Sequence, residues 1–360
     1  MSDVYHILVI NPGSTSTKVA LFTGKGAPEG DCSIERSAEY SAEPPPAADQ
    51  TAGFIAQGTS RLLDIDRFLE KTDVVDCVAA RGGMVRPIPA GIYRVNEAMV
   101  EDLTKCTYGA HASNLGAVLG RKIAKRYACS AIIADPVGVD ELADLARFSG
   151  LHGIERRSFS HALNIRATVR KASDESGKAF AESRYVVAHL GGGISVAAVV
   201  GGKIIDVNNS NEGGPFTPQR VGTLPVLQLV DLCFSDYELH AEEVKRRLIT
   251  EGGLRSYLGT DSVREVLSRI EKGDDYARLV LRAMAYQIGK EIGSMSSVLH
   301  GKTDGVLITG GFARSPITDW IAEMTDWIAP VHVYPGENEM TALAQAAIRY
   351  LSGGENLKEY

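Results

Sequence analysis

Ile7-Leu8-Val9-Ile10-Asn11-Pro12-Gly13-Ser14-Thr15-Ser16-Thr17-Lys18-Val19-Ala20-Leu21-Phe22 reads as strand, turn, strand. The apolar run Ile7–Ile10 has the length of one buried strand. The turn after it is built from Gly, Ser and Thr, and Thr17–Phe22 brings the chain back. Small residues let backbone N–H groups and hydroxyls approach an anion closely, so the turn is a candidate phosphate cradle. No helix follows it directly and no Gly-Lys-Ser/Thr is present, which excludes the P-loop arrangement.

The pattern recurs at Tyr185-Val186-Val187-Ala188-His189-Leu190-Gly191-Gly192-Gly193-Ile194-Ser195-Val196-Ala197-Ala198-Val199-Val200. A Gly201-Gly202 turn then leads to a third strand, Lys203–Asn208. Laid over each other, Asn11 falls on His189, Gly13 on Gly191, and Lys18–Phe22 on Val196–Val200. Two such copies point to an α/β protein with two similar domains facing one cleft. Either copy alone would read as an ordinary hairpin; the pair favours a nucleotide phosphate.

At 360 residues the chain can bury two cores, and 44% hydrophobic with 23% charged residues is ordinary globular composition. A net charge of −7 argues against nucleic acid as a main partner. Five cysteines, Cys32, Cys77, Cys106, Cys129 and Cys233, form no CxxC pair, which suits a reducing compartment and gives no metal-site spacing. No signal peptide and no membrane-spanning run are visible, so a cytoplasmic location is expected.

Further along, Glu43–Ala48 reads as a stiff loop and Gln50–Leu63 as a helix continuing to Leu69. Asp76–Ala80 reads as a short strand entering Arg81-Gly82-Gly83. Asn96 can cap a helix through Leu103, and Ser113 another through Ala128. Ser130–Ala134 is a buried strand ending at Asp135-Pro136, with a helix expected near Val139–Arg147 and another from His161. In the second half, helices are expected at Pro225–Leu232, Ala241–Thr250, Ser262–Ile270, Asp275–His300 and Ser315–Ile328, with a closing helix at Glu339–Leu351. Strands are expected at Gly305–Thr309 and Val331–Tyr334.

Several side chains could carry chemistry. Gly310-Gly311-Phe312, between a strand and a helix, is a second nucleotide-contact candidate. A dinucleotide site at Gly191-Gly192-Gly193 fails, because a strand follows the glycines and no GxGxxG is present. Asp135, just past a strand end, can organise Mg²⁺ or phosphoryl charge, or simply cap a turn. Glu339 opens a helix, where a carboxylate also complements the dipole. Arg81 can grip a carboxylate bidentately or lie on the surface. His161 and His111 precede helices, as phosphate donors or structural rings. Lys18 is a ligand or a solvated strand residue.

The ordered set of motifs resembles the acetate and butyrate kinases over nearly the whole chain. It comprises Asn11–Lys18, Arg81-Gly82-Gly83, Asp135-Pro136, Ser160-His161-Ala162-Leu163-Asn164, His189–Gly193, Gly214-Pro215-Phe216-Thr217-Pro218, Gly310-Gly311 and Asn338-Glu339. The resemblance implies two ribonuclease-H-like domains, a duplicated actin-like ATPase fold. Their expected spans are 1–160, completed by a C-terminal helix at about 340–360, and 161–339. It implies reversible in-line transfer of phosphate from ATP, with Mg²⁺, to a short-chain fatty acid, and a homodimer or higher homo-oligomer. Asn11, Ser14, Ser16 and Lys18 would meet the transferring phosphate, with Asn11 and Glu339 at the metal. Arg81 would hold the acid carboxylate, His161 the phosphoryl group, and Asp135 the nucleophile and metal. His189, Gly191, Gly192 and Gly193 would line the nucleotide phosphates; Ser262, Arg264, Gly310, Gly311 and Phe312 would form the adenosine pocket. Ala80, Ala110, His111 and Pro218 would line the acyl pocket.

Three positions depart from acetate kinases. Arginine, not histidine, precedes Gly82. Gly222-Thr223 is followed by Leu224, leaving Arg220 as the nearest second arginine. Ala80 and Ala110 replace bulkier residues, which enlarges the expected pocket and favours butyrate, with isobutyrate and valerate next. A pocket separates acids by about 1–3 kcal/mol per methylene. The alternatives are an acetate or propionate kinase and, in another class, an actin- or chaperone-like nucleotide switch.

Overall fold

The computed structural model describes residues 4–25, 32–42, 50–234 and 240–360, so the loop expected at Glu43–Ala48 lies outside the described residues. The chain divides into two compact units, Met1–Val139 with Asn338–Tyr360, and Asp140–Glu337.

In the first unit, β1 (Val4–Pro12), β2 (Ser16–Lys25) and β3 (Cys32–Ser41) form an antiparallel meander. Strands β4 (Cys77–Ala80) and β6 (Ser130–Ala134) extend it in parallel from β1, and β5 (Ile92–Arg94) closes the edge. The order is β3-β2-β1-β4-β6-β5. Alternation puts Leu8, Ile10, Val78, Ala80 and Ile133 into one core with α3 (Asn114–Arg126), α2 (Glu97–Lys105) and α1 (Gln50–Leu69). The last helix, α11 (Glu339–Leu351), packs on β1 and β4. Asn96 caps α2 through Met99 N at 3.0 Å. Ser113 makes no side-chain cap; its hydroxyl pairs with His111 Nδ1 at 2.7 Å.

The second unit repeats the plan. Strands β7 (Arg184–Leu190), β8 (Ile194–Val200) and β9 (Lys203–Val207) form the meander, with β10 (Gly305–Gly310) and β11 (Val331–Pro335) parallel to β7. The order β9-β8-β7-β10-β11 repeats β3-β2-β1-β4-β6. Helix α4 (Ala162–Ser176) packs on β7 and β10 as α11 does on β1 and β4. On the other face lie α9 (Asp275–Val298), α8 (Val263–Glu271) and α10 (Ile317–Thr325). Helices α5 (Val226–Cys233), α6 (Ala241–Thr250) and α7 (Gly253–Leu258) complete the unit.

Strand register corrects the sequence alignment by one residue. Asn11 pairs with Lys18, whereas His189 pairs with Ser195, so Lys18 corresponds to Ser195 rather than Val196. The glycine turn is one residue shorter than the Ser/Thr turn. With that shift, the register break of β2 at Leu21/Phe22 coincides with that of β8 at Ala198/Val199. The duplication therefore extends to an irregularity that nothing in hydropathy reports.

The division at Val139/Asp140 falls before the expected boundary at 160. The reason is hydrogen bonding: Ala143 N donates to Ile205 O, and Arg156 binds Asp206 Oδ1 and Val207 O. The helix expected at Val139–Arg147 is instead one 3₁₀ turn, Asp144–Arg147. Asp140 draws Arg147 onto its carboxylate at 2.9 Å and competes with a regular helix start.

Candidate active site

The chemistry-bearing residues of the first unit gather at the strand ends. Asn11 ends β1 and Arg81 follows β4, its N–H bonded to Ile10 O. Glu339, in the first turn of α11, joins them: Oε2 accepts from Asn11 Nδ2 at 2.8 Å and Oε1 pairs with Arg81 Nη2 at 3.3 Å. Arg81 is 7% exposed, and its Nη1 is buried without a hydrogen-bond partner among the described residues. A buried guanidinium nitrogen without an acceptor is costly, and a carboxylate oxygen is the acceptor it matches best.

Asp135 stands at the end of β6 in a left-handed conformation (φ 40°), and its Oδ1 accepts from Gly91 N at 2.7 Å. It thereby organises the loop between Arg81 and β5. Ser14 is exposed; Ser16 donates to Glu39 Oε1 at 2.6 Å; Lys18 is exposed on β2. His111 Nδ1 accepts from Ser113 N at 3.2 Å, which fixes the ring at the start of α3. Ala110 is half-buried beside it. Asn114, absent from the sequence expectations, ties these loops together. Its Oδ1 accepts from Met84 N at 2.8 Å and its Nδ2 donates to Gly109 O at 2.9 Å.

Ala80 is corrected. It is fully buried in the core facing α3, with its methyl 3.1 Å from where a Cβ on Gly120 would lie. On a four-residue strand buried on both faces, every side chain is committed to packing. Ala80 does not line an open acyl pocket.

In the second unit the glycine turn lies over three nitrogen-bearing side chains. A Cβ on Gly191 would stand 2.9 Å from His189 Nε2; one on Gly193 would stand 2.5 Å from Arg220 Nη1 and 3.2 Å from His161 Cε1. The rings of His161 and His189 stack at 3.9 Å, 14° from parallel. His161 Nδ1 bonds Ser195 Oγ at 2.9 Å. His189 Nδ1 bonds Asn164 Oδ1 at 2.8 Å, while Asn164 Nδ2 donates to Glu337 O. Because the amide nitrogen is spent on a carbonyl, the histidine nitrogen must be the donor. Arg220 Nη1 donates to Ser210 Oγ at 2.8 Å and Ser210 O at 3.1 Å. Burial holds its guanidinium below the ordinary arginine value, yet it remains cationic. Thr217 Oγ1 donates to Gly192 O at 2.9 Å and fixes the turn from below. The Arg220 guanidinium thus places a positive charge under the glycine turn, a setting that suits anionic oxygen.

Beside it is a cavity of about 670 Å³ lined by Gly192, Pro218, Arg264, Leu267, Gly311 and Phe312, among others. The size suits a nucleotide-class ligand. Arg264, Gly311 and Phe312 line it together, whereas Ser262 caps α8, accepting from Glu265 N at 3.2 Å. Pro218, expected with the acyl pocket, lies here. Gly310 closes β10 with φ 106°, its Cα against the Leu190 backbone where no side chain fits. Among the described residues, no group of three or more His, Cys, Asp or Glu could hold a metal, and no helix is long and apolar enough to cross a membrane.

Two copies of one α/β unit, each opening on a strand, a small-residue turn and a returning strand, define a two-domain protein of the actin-like ATPase fold. The crystal structure of Porphyromonas gingivalis acetate kinase superposes with a TM-score of 0.74 at 17% identity, covering 97% of this chain and 99% of that one. A propionate kinase from Francisella tularensis gives 0.66 at 20% identity, covering 95% and 98%. The acetokinase family model matches residues 145–318. A curated protein from Caldanaerobacter subterraneus, named probable butyrate kinase 2, is 44% identical over 364 aligned residues, 99% of this chain and all of that protein. The chain belongs to the acetokinase family. It is a kinase with ATP as phosphoryl donor and a carboxylate as acceptor, which sets aside the nucleotide-switch reading.

Proposed function

We propose that the acceptor is butyrate, phosphorylated reversibly to butyryl phosphate. The curated relative, similar from end to end, supports this acid. The observation that carries the site assignment is Arg81: one buried nitrogen is held by Glu339 and the other lacks a partner among the described residues. In this reading Nη1 receives the acid carboxylate, and Ala110 and His111 flank the acyl chain. Ala80 no longer contributes to chain-length preference, so isobutyrate and valerate remain close competitors.

The acid is ionised at neutral pH, so the attacking oxygen needs no strong base. Positioning and charge neutralisation then carry the rate. Arg81 orients the carboxylate. Gly192 and Gly193 offer backbone N–H groups to the nucleotide phosphates, the Gly191 N–H being held by Gly193 O, with His161, His189 and Arg220 beneath them. Asn11, Ser14, Ser16 and Lys18 meet the transferred phosphoryl group, and Asp135 holds the loop that follows Arg81. Gly310, Gly311, Phe312, Arg264 and Ser262 serve the adenosine. The donor set suits Mg²⁺: oxygen ligands from Asn11 and Glu339 are few, as befits an ion carried mainly by nucleotide phosphates and water. When bound, the ion neutralises charge on the phosphate oxygens. A cytoplasmic homo-oligomer completes the proposal.

A hydroxamate assay with ATP, Mg²⁺, hydroxylamine and acids from acetate to valerate tests it. Butyrate should give the highest kcat/KM, and Arg81→Ala should lower it by about 100-fold or more. A preference for acetate would refute butyrate as the substrate.

A further inference from the structure

Arg61 lies in the middle of α1 and is 1% exposed, the largest fully buried side chain among the described residues. Its guanidinium reaches the Ser/Thr turn. Nη2 donates to Gly13 O at 2.9 Å, and Nη1 to Ser16 O at 3.0 Å and Thr17 Oγ1 at 2.8 Å. Gln57, one helical turn earlier, accepts from Nε at 3.1 Å and Nη2 at 2.7 Å. Among the described residues no salt bridge neutralises the charge, although Asp64 partly offsets the effect of burial.

A cation in the interior costs free energy, and an apolar residue of similar volume would pack there with less penalty. What the charge does locally is specific. It draws the carbonyls of Gly13 and Ser16, the groups that would repel phosphate oxygen, onto the inner side of the turn. The exposed tip, Ser14 and Thr15, is left to present N–H and hydroxyl groups. The guanidinium also sets a fixed positive charge under that tip, in surroundings where Coulomb attraction is weakly screened.

We propose that Arg61 is a positioning residue for phosphoryl transfer, shaping the Gly13–Thr17 turn and charging it from beneath. The proposal rests on the reading of this turn as the seat of the transferred phosphoryl group. Lys cannot replace it, because one ammonium cannot span Gly13 O, Ser16 O and the Gln57 amide in fixed geometry.

The test compares the full-length enzyme with Arg61→Lys, Gln57→Leu and Asn11→Ala, using steady-state kinetics with ATP and butyrate and thermal unfolding with and without MgATP. Arg61→Lys should lower kcat by about 10-fold or more per folded molecule, leave the acid KM within twofold, and shrink the MgATP-induced rise in Tm. Gln57→Leu, which keeps the charge, should shift the same quantities by less, and it decides the matter if Arg61→Lys fails to fold. A folded Arg61→Lys with kcat within twofold of wild type overturns the proposal while Asn11→Ala is crippled. If Asn11→Ala is itself unimpaired, the turn is not the phosphate seat and both readings fall.

Discussion

Arg81 and Glu339 form an ion pair, Nη2 to Oε1 at 3.3 Å, with side chains only 9% and 17% exposed. The same carboxylate holds Asn11. One acidic side chain thus sets two strand-end residues, and it competes with any incoming carboxylate for the guanidinium. Glu339→Gln removes the competitor and weakens the hold on Asn11. Steady-state kinetics should show kcat reduced by about 10-fold or more, with the acid KM unchanged or lower. A large rise in acid KM would mean that Glu339 assists substrate binding instead.

Gly193 carries a second prediction. A methyl there would meet Arg220 Nη1 and His161 Cε1, both under the glycine turn. Arg220 can yield only by giving up Ser210. Gly193→Ala should therefore spare folding, with Tm within a few degrees, and lower kcat by about 10-fold or more. Wild-type activity in this variant would place the phosphates away from the glycine turn.

The duplication links Asn11–Glu339 to His189–Asn164. In each unit a residue at the end of the first strand bonds a side chain from the first turn of the helix packed on that strand. Asn164→Leu should free the His189 ring and lower kcat/KM for ATP by about 10-fold. Asn164→Asp keeps an acceptor for His189 Nδ1 but gives up the donation to Glu337 O. Its kcat/KM for ATP should fall less than that of Asn164→Leu, and equal losses in the two variants would refute a role for the His189–Asn164 bond.

Much of this was legible in the residues. The hairpins at Ile7–Phe22 and Tyr185–Val200 announce themselves because apolar runs and a small-residue turn are local signals. Asn11, Arg81, His189 and Gly191–Gly193 stand at ends of such runs, so these motifs and strand ends coincide, while His161 precedes α4. Arg61 was hidden because an arginine on an amphipathic helix normally faces solvent; only the tertiary fold turns it inward. Its one hint is Gln57 at i−4. Asn114 and Ser210 act through loops distant in sequence, which no periodicity reports. Ala80 stands where acetate kinases carry a bulkier residue, but the resemblance carries no burial, and every residue of β4 is buried. The 3₁₀ turn at Asp144–Arg147 arises from side-chain competition by Asp140, which propensity does not capture.

The cysteines give a final prediction, independent of catalysis. Cys77 is fully buried in β4, and burial pushes its thiol well above the ordinary value; Cys129 is pushed up to about 11, mainly by burial and then by Asp76. A thiol whose folded value is raised binds its proton more tightly in the native state. Its contribution to stability is therefore intact below the ordinary thiol value of 9.0 and is lost as pH rises from there through about 11. Urea midpoints should be flat near pH 8 and fall above about pH 9, and Cys129→Ala should reduce that fall. At pH 8 a thiol reagent should leave Cys77 untouched in the native protein and titrate all five cysteines once the chain is unfolded. Rapid native labelling of Cys77 would show that β4 opens locally, and with it the strand that delivers Arg81.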